Sequence, residues 1–258
     1  MEGFEATRFT YIDTHCHYHP SVSFQDFFSY VSGNVNKSER GGVDSSAICL
    51  LEVEGSDWFK VLESGSPESS LDIESVNAKT LRVSTNNNQI SVFCARQINT
   101  KERLELVIVG CRDPIESHLP MDYYINKYQE DYLLILPWGV GKWLGGRGEL
   151  VSSLINETSS LVLGDNGGRP SLWSNVPQFE KAKHIGMPIL AGSDPLPVSS
   201  FSKRAGSYGC IFEGEITDCD DWISIVRNSR PQVDSYGKLS SAYRFFIDQV
   251  ELRLRKYV

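Results

Sequence analysis

Three of the chain's five histidines fall in the stretch Tyr11-Ile12-Asp13-Thr14-His15-Cys16-His17-Tyr18-His19-Pro20. An apolar approach, Phe9 to Ile12, leads into them and reads as a first strand. Alternate side chains of an extended chain share a face, so His15, His17 and His19 can project together from the strand end. Neutral imidazole is the commonest protein ligand for metals. A lone His-x-His is also the mark of an ordinary polar turn, so its partners decide the matter. Two carboxylates follow other apolar runs: Glu52 in Ser45–Val53, and Asp194 in Gly192-Ser193-Asp194, just after Met187–Ala191. Two imidazoles with such carboxylates suit a divalent ion, Zn²⁺ or Mn²⁺. That ion lowers the pKa of a bound water and polarises a carbonyl or phosphoryl oxygen. Asp194 is then a metal ligand or the catalytic base for that water. The same Gly-Ser-Asp-Pro run equally fits an N-cap at Asp194, with Pro195 in the first helical position.

A second set of polar residues suits substrate binding. Gly141-Lys142 and Gly145-Gly146-Arg147 combine backbone N–H groups that a ligand can approach with two cations, which suits a small anionic substrate. The spacing is not that of a P-loop, and a flexible turn with solvated charges explains it as well. Asp165, Asn166 and Arg169 follow the short apolar run Leu161–Leu163, and their Asn-Gly-Gly core is also ordinary turn chemistry. Candidate catalytic residues are thus Asp194 and Lys142. Candidate substrate contacts are Lys142, Arg147, Asp165, Asn166 and Arg169.

The elements that must position these residues alternate in type. Buried-strand runs at Ser45–Val53, Thr80–Ser84, Ile90–Ala95, Leu104–Gly110, Tyr132–Leu136, Leu161–Leu163, Met187–Ala191 and Cys210–Glu213 are interspersed with helical patterns. Helices are expected at Phe24–Val35, Asp57–Glu63, Tyr123–Glu130, Leu150–Asn156, Phe179–His184, Asp220–Asn228 and Ser240–Arg255. The last carries Tyr243, Phe246, Ile247, Val250 and Leu254 at helical spacing, which reads as core packing. Asn86-Asn87-Asn88 reads as a hairpin turn, and Ser64–Glu74 as a surface loop. The pattern predicts an α/β fold, a mainly parallel sheet or barrel, in one domain over residues 1–258. Polar residues gather just after successive strands, where parallel α/β barrels build their active sites.

Bulk composition narrows the partners. The 258 residues carry a net charge of −8, which argues against nucleic acid or an anionic membrane as partner. No apolar run is long enough to span a bilayer. The six cysteines contain no Cys-x-x-Cys pair and several lie in apolar runs, as expected for reduced thiols in a cytoplasmic protein.

The order Asp13-Thr14-His15-Cys16-His17, Leu50-Leu51-Glu52, Ala95-Arg96-Gln97 through Leu106, and Ala191-Gly192-Ser193-Asp194 resembles the PHP (polymerase and histidinol phosphatase) superfamily, a neighbour of the TIM-barrel amidohydrolases. Gly206-Ser207-Tyr208-Gly209 resembles a Gly-rich stretch that often follows the last motif. The resemblance spans about residues 9 to 213. It implies a distorted, usually seven-stranded (β/α) TIM-like barrel that hydrolyses phosphoesters with bound metal. It matches His15 and His17 to the first metal pair, Glu52 to a carboxylate after strand 2, and Asp194 to the late Asp. The sequence departs from the pattern where a late His falls at Leu196, a Glu at Gln97 and a mid-barrel His-Pro at Leu136-Pro137-Trp138. One ion on His15, His17, Asp194 and Glu52 is then expected, rather than a trinuclear site. Lys142 also resembles the carboxylated bridging lysine of amidohydrolases.

Three functions follow. The first is a metal-dependent hydrolase, a phosphoesterase acting on a small anionic substrate. The second is a degenerate barrel that binds a ligand or protein partner, with exposed Trp138 and Trp143 on the binding surface. The third is an amide or lactone hydrolase using the same ion.

Overall fold

The structure, a computed structural model, describes residues 8–37, 45–65, 71–85, 88–157, 160–197 and 199–255. The first half runs β1 (Phe9–Cys16), α1 (Phe24–Lys37), β2 (Ser45–Glu52), α2 (Trp58–Glu63), β3 (Asp72–Asn77), β4 (Thr80–Ser84), β5 (Gln89–Asn99) and β6 (Glu105–Val109). Then come α3 (Met121–Tyr128), β7 (Leu133–Pro137), α4 (Gly146–Glu157), β8 (Leu161–Asn166), α5 (Pro177–His184) and β9 (Ile189–Gly192). The chain closes with α6 (Ser199–Ser202), β10 (Tyr208–Glu213), α7 (Cys219–Ser229), β11 (Asp234–Gly237) and α8 (Ala242–Arg255).

The strands order as β11-β10-β1-β2-β5-β6-β7-β8-β9, with the β3–β4 hairpin attached to β5. The sheet curls until β9 returns against β1 and β10, giving the nearly closed, TIM-like α/β barrel expected. β1, β2 and β5 are parallel, as are β7, β8 and β9. β6 is the exception to a mainly parallel barrel, because it pairs antiparallel with both β5 and β7. Its entry is a tight turn rather than a crossover helix: Thr100 N–H donates to Leu104 O at 2.8 Å, and Arg103 sits at φ 63°. A short link joins antiparallel strands, whereas a parallel pair needs a crossover of a dozen residues or more.

Alternation along the strands divides the core. Ala47, Cys49, Leu51, Phe93, Ala95, Val107, Val109, Leu133, Ile135, Val162 and Leu190 fill the barrel interior, where α7 adds Trp222. Their neighbours Ile48, Leu50, Val92 and Cys94 face outward under α1 and α2, and Ile108, Leu134, Leu136 and Leu163 lie under α3, α4 and α5. Strands buried on both faces read as continuous apolar runs, which is why they stood out in the sequence. All six cysteines are buried and free.

Several expectations differ from the structure. β3 occupies the end of the stretch read as a loop at Ser64–Glu74, and residues 66–70 lie outside the described residues. β4 and β5 do pair antiparallel, while Asn86 and Asn87 of the expected turn lie outside the described residues. The apolar positions of α8 are not core: Tyr243 is 76% and Phe246 68% exposed, and Val250 is exposed too. The inward position is instead Asp248, ion-paired to Arg204 at 2.7 Å and Arg244 at 3.2 Å. That network sets the helix's rotation and turns its apolar positions to solvent. Leu254 lies among side chains outside the described set. No helix among the described residues is long and apolar enough to cross a membrane.

Candidate metal centre

The seam between β1 and β9 holds the site. Asp194 N–H donates to His15 O at 2.8 Å, and Thr14 Oγ1 donates to Ala191 O at 2.9 Å. Asp13, fully buried, clasps the seam from beneath, accepting from His15 N, Ser193 N and Gly206 N at 3.1, 2.9 and 2.9 Å, and from Ser193 Oγ. Burial pushes its carboxyl up to about 6, against the pull of these donors. The Gly192-Ser193-Asp194 run serves this approach. A Cβ on Gly192 would fall 2.3 Å from His15 Cβ and 2.4 Å from His15 N.

Past the seam, His15, His17 and Asp194 converge. Their ligand atoms lie within 4.8 Å of one another, the one such group among the described residues. Asp194 Oδ1 stands 3.6 Å from His15 Nε2 and 3.9 Å from His17 Nε2, and the two rings are 5.1 Å apart. Burial and the neighbouring His15 hold His17 below the usual imidazole range, against Asp194, Glu105 and Gln97. Burial pushes the Asp194 carboxyl up, but His15, His17, Asn166 and Lys142 outweigh it and leave it below the usual range. A neutral imidazole beside an ionised carboxylate is the state that binds a cation. Asp194 caps no helix, because α6 begins only at Ser199. Its φ of 45° is left-handed and belongs to the turn that aims its carboxylate at the histidines.

Four more side chains surround the group. Asn166, at the end of β8, donates Nδ2–H to Asp194 Oδ2 and accepts from Gly168 N at 2.7 Å. Gln97 Oε1 lies 3.2 Å from His17 Nε2, in the place where the PHP pattern carries a Glu. Lys142 pairs with Glu105, at the start of β6. Because β6 is reversed, its beginning rather than its end reaches this face of the barrel. His19 turns aside to Pro195 O at 2.8 Å.

Other expected site residues point elsewhere. Glu52 accepts from Phe59 N at 2.7 Å and Ser56 Oγ at 2.6 Å, at the start of α2. The N-cap residue Asp57 makes no side-chain cap there, so Glu52 satisfies an N–H that helix starts leave orphaned. Burial pushes its carboxyl up, and it does not join the histidine group. Arg147 lies in the first turn of α4 and donates to Gly141 O at 2.9 Å and Arg103 O at 3.4 Å. Asp165 and Arg169 form a bidentate pair, both bonds 2.7 Å, with Tyr208 Oη donating to Asp165 at 2.9 Å. Both are buried and tie β8 to the turn after it, away from any substrate. Trp138 and Trp143 are not exposed: they are 4% and 5% accessible. Sequence reading passed over Glu105, and it treated Asp13 and Gln97 only as neighbours of the motif.

No protein-family model matches the chain, and no curated protein matches it in sequence. Solved structures do match its fold. PsfC from Pseudomonas syringae PB-5123 superposes with a TM-score of 0.62 at 14% identity, over 97% of this chain and all of PsfC. The lesion-specific endonuclease PfuEndoQ from Pyrococcus furiosus matches with a TM-score of 0.51 at 15% identity, over 87% of this chain and 57% of that one. A further structure, an Endonuclease Q complex with a 27-mer duplex substrate carrying an abasic lesion, matches with a TM-score of 0.46 at 14% identity. The expectation that net charge argues against nucleic acid is overturned here, since a fold shared with an endonuclease is one that handles it. Overall acidity is a poor guide because a bound cation and a few local side chains set the field at a site. At these identities the likeness speaks for the fold alone, a barrel of the PHP type that the His15–His17 motif resembles.

Proposed function

We propose that this chain is a metal-dependent hydrolase of phosphoesters, with one divalent ion held by His15, His17 and Asp194. The observation that carries the reading is their convergence within 4.8 Å at the strand ends of the barrel. Two imidazoles and one carboxylate are a common catalytic zinc set, which leaves a position open for water or substrate. A bound Zn²⁺ or Mn²⁺ supplies Lewis acidity and a water that ionises near neutral pH.

The chain's own residues do the positioning. Asn166 holds one oxygen of Asp194 and leaves the other facing the imidazoles. Lys142, on the loop beside Asp194, offers the charge for a phosphoryl oxygen when it parts from Glu105. Arg147 and Arg169, bonded within the fold, contribute none. The endonuclease among the fold neighbours supports phosphodiesters, nucleic acid included, in the substrate range.

The test is elemental analysis of protein equilibrated with Zn²⁺ or Mn²⁺, beside hydrolysis of phosphomonoesters, DNA, amides and lactones. We expect about one ion per chain, lost in the His15→Ala, His17→Ala double variant together with phosphoester hydrolysis. Asn166→Ala should weaken metal affinity about 10- to 100-fold, as loss of a residue that orients a ligand does. No metal in the replete wild type sinks the proposal, and turnover of amides alone moves it to a different substrate class. One observation favours the second reading, a barrel that binds without catalysis. Gln97 engages His17 Nε2, the atom an ion needs, and Gln supplies no negative charge. That reading expects neither metal nor turnover.

A further inference from the structure

Beside the histidine group lies a cleft of about 300 Å³, lined by Trp138, Trp143, Leu144, Trp173, Val176 and Gln178 among others. We propose that it seats a flat heteroaromatic ring of the nucleobase type, bearing a hydrogen-bond acceptor. The proposal rests on the cleft alone and does not require the metal.

The first observation is an orphaned donor. Trp143 is 5% exposed, and its Nε1–H meets no acceptor among the described residues. A buried donor without a partner is uncommon and costs stability, so something outside the chain is expected to accept from it. The ring cannot easily swing away to find one. It packs edge-on against Phe179 at 5.5 Å, and Gly148 lies so near the Trp143 carbonyl that a Cβ there would sit 2.4 Å from its oxygen. The second observation is the lining. It contains no charged side chain, so it does not suit a bare phosphate. Gln178 donates its amide N–H to Gly148 O at 3.2 Å and leaves its carbonyl oxygen to accept. One donor and one acceptor between indole faces match the edge of a nucleobase, whereas a sugar would need more polar partners.

The third observation is the mouth. Trp138 and Trp173 stand 5.6 Å apart at 76°, with Trp173 37% and Leu144 58% exposed. Apolar side chains grouped at the rim of a cleft mark a binding surface. Location completes the case. The loop that contributes Gly139, Gly141, Trp143 and Leu144 also sends Lys142 toward Asp194, so groups attached to a seated ring extend toward the candidate metal centre.

Nitrogen-15 spectra of the indole N–H groups test this, with chelator present so that the result is independent of metal. The probes are uridine and adenosine 5′-monophosphate, ribose 5-phosphate, and a short single-stranded oligodeoxynucleotide. We expect a nucleotide or the oligonucleotide to shift the Trp143 resonance, assigned by its loss in Trp143→Phe, and to spare Trp58 and Trp222. A response to the oligonucleotide alone identifies a base within a strand, and a response to mononucleotides alone identifies a free nucleotide; both support the seat. Trp143→Phe and Trp173→Ala should each weaken binding about tenfold, the order of one lost stacking or hydrogen-bonding contact. The indole peaks remaining in each variant report that it is folded. The proposal is overturned if no probe shifts Trp143, if ribose 5-phosphate shifts it equally, or if Trp143→Phe binds like wild type, in which case water alone satisfies the N–H.

Discussion

Gly192 sets how closely β9 approaches His15, and no other residue fits there without moving the seam. Gly192→Ala should therefore cost about 1–3 kcal/mol as an overpacked contact, and lower the melting temperature by several degrees. Because strain falls on the pair that must converge, metal retention should fall as well. Calorimetry and elemental analysis check both, and a variant that melts and binds metal like wild type would remove Gly192 from the account. At this scale the sequence was informative where residues are local. His15 and His17 needed only strand alternation, and Asp194 only a polar residue after an apolar run. Asn166 was visible for the same reason, though its partner, Asp194, was not. Glu105 went unread because it precedes its strand, and only a reversed strand brings a leading residue to this face.

Elements were legible where burial is two-sided and obscure where a polar side chain serves the backbone. The runs of β1, β2, β5 and β7 announced themselves, yet Glu52 at the end of β2 looked like a ligand and is bound to the start of α2. Glu52→Ala should cost about 1–2 kcal/mol, the range of a lost helix cap, while leaving metal retention intact. Urea denaturation with metal analysis checks this, and loss of metal without loss of stability would return Glu52 to the ligand set. The glycine-rich segment illustrates the opposite error. Gly146, Arg147 and Gly148 looked like an anion loop, but they begin α4, where Arg147 fastens the preceding turn. Composition alone does not separate a loop that binds anions from one that enters a helix.

For the whole molecule, barrel class was readable from alternating patterns, but the reversed β6 and the exposed face of α8 were not. Both depend on pairings between distant parts of the chain. Apolar spacing on α8 suggested core packing, and Asp248 with Arg204 decides its orientation instead. Phe246→Ser should accordingly change stability by no more than about 0.5 kcal/mol, the usual range of a surface substitution, measured by chemical denaturation. A loss of several kcal/mol would mean that this face is covered in solution. The seam described above has one more consequence, in the order of events. Asp13 and Ser193 lie 180 positions apart, whereas β5, β6 and β7 follow one another through local turns. Distant pairings pay their loop entropy late, so the meander can form early and the seam close last. As the chain is made, the imidazole pair emerges long before its carboxylate and meets it only when nearly the whole barrel exists. An ion bound across that seam joins the earliest and latest parts of the barrel, and its affinity then adds to the stability of the entire fold.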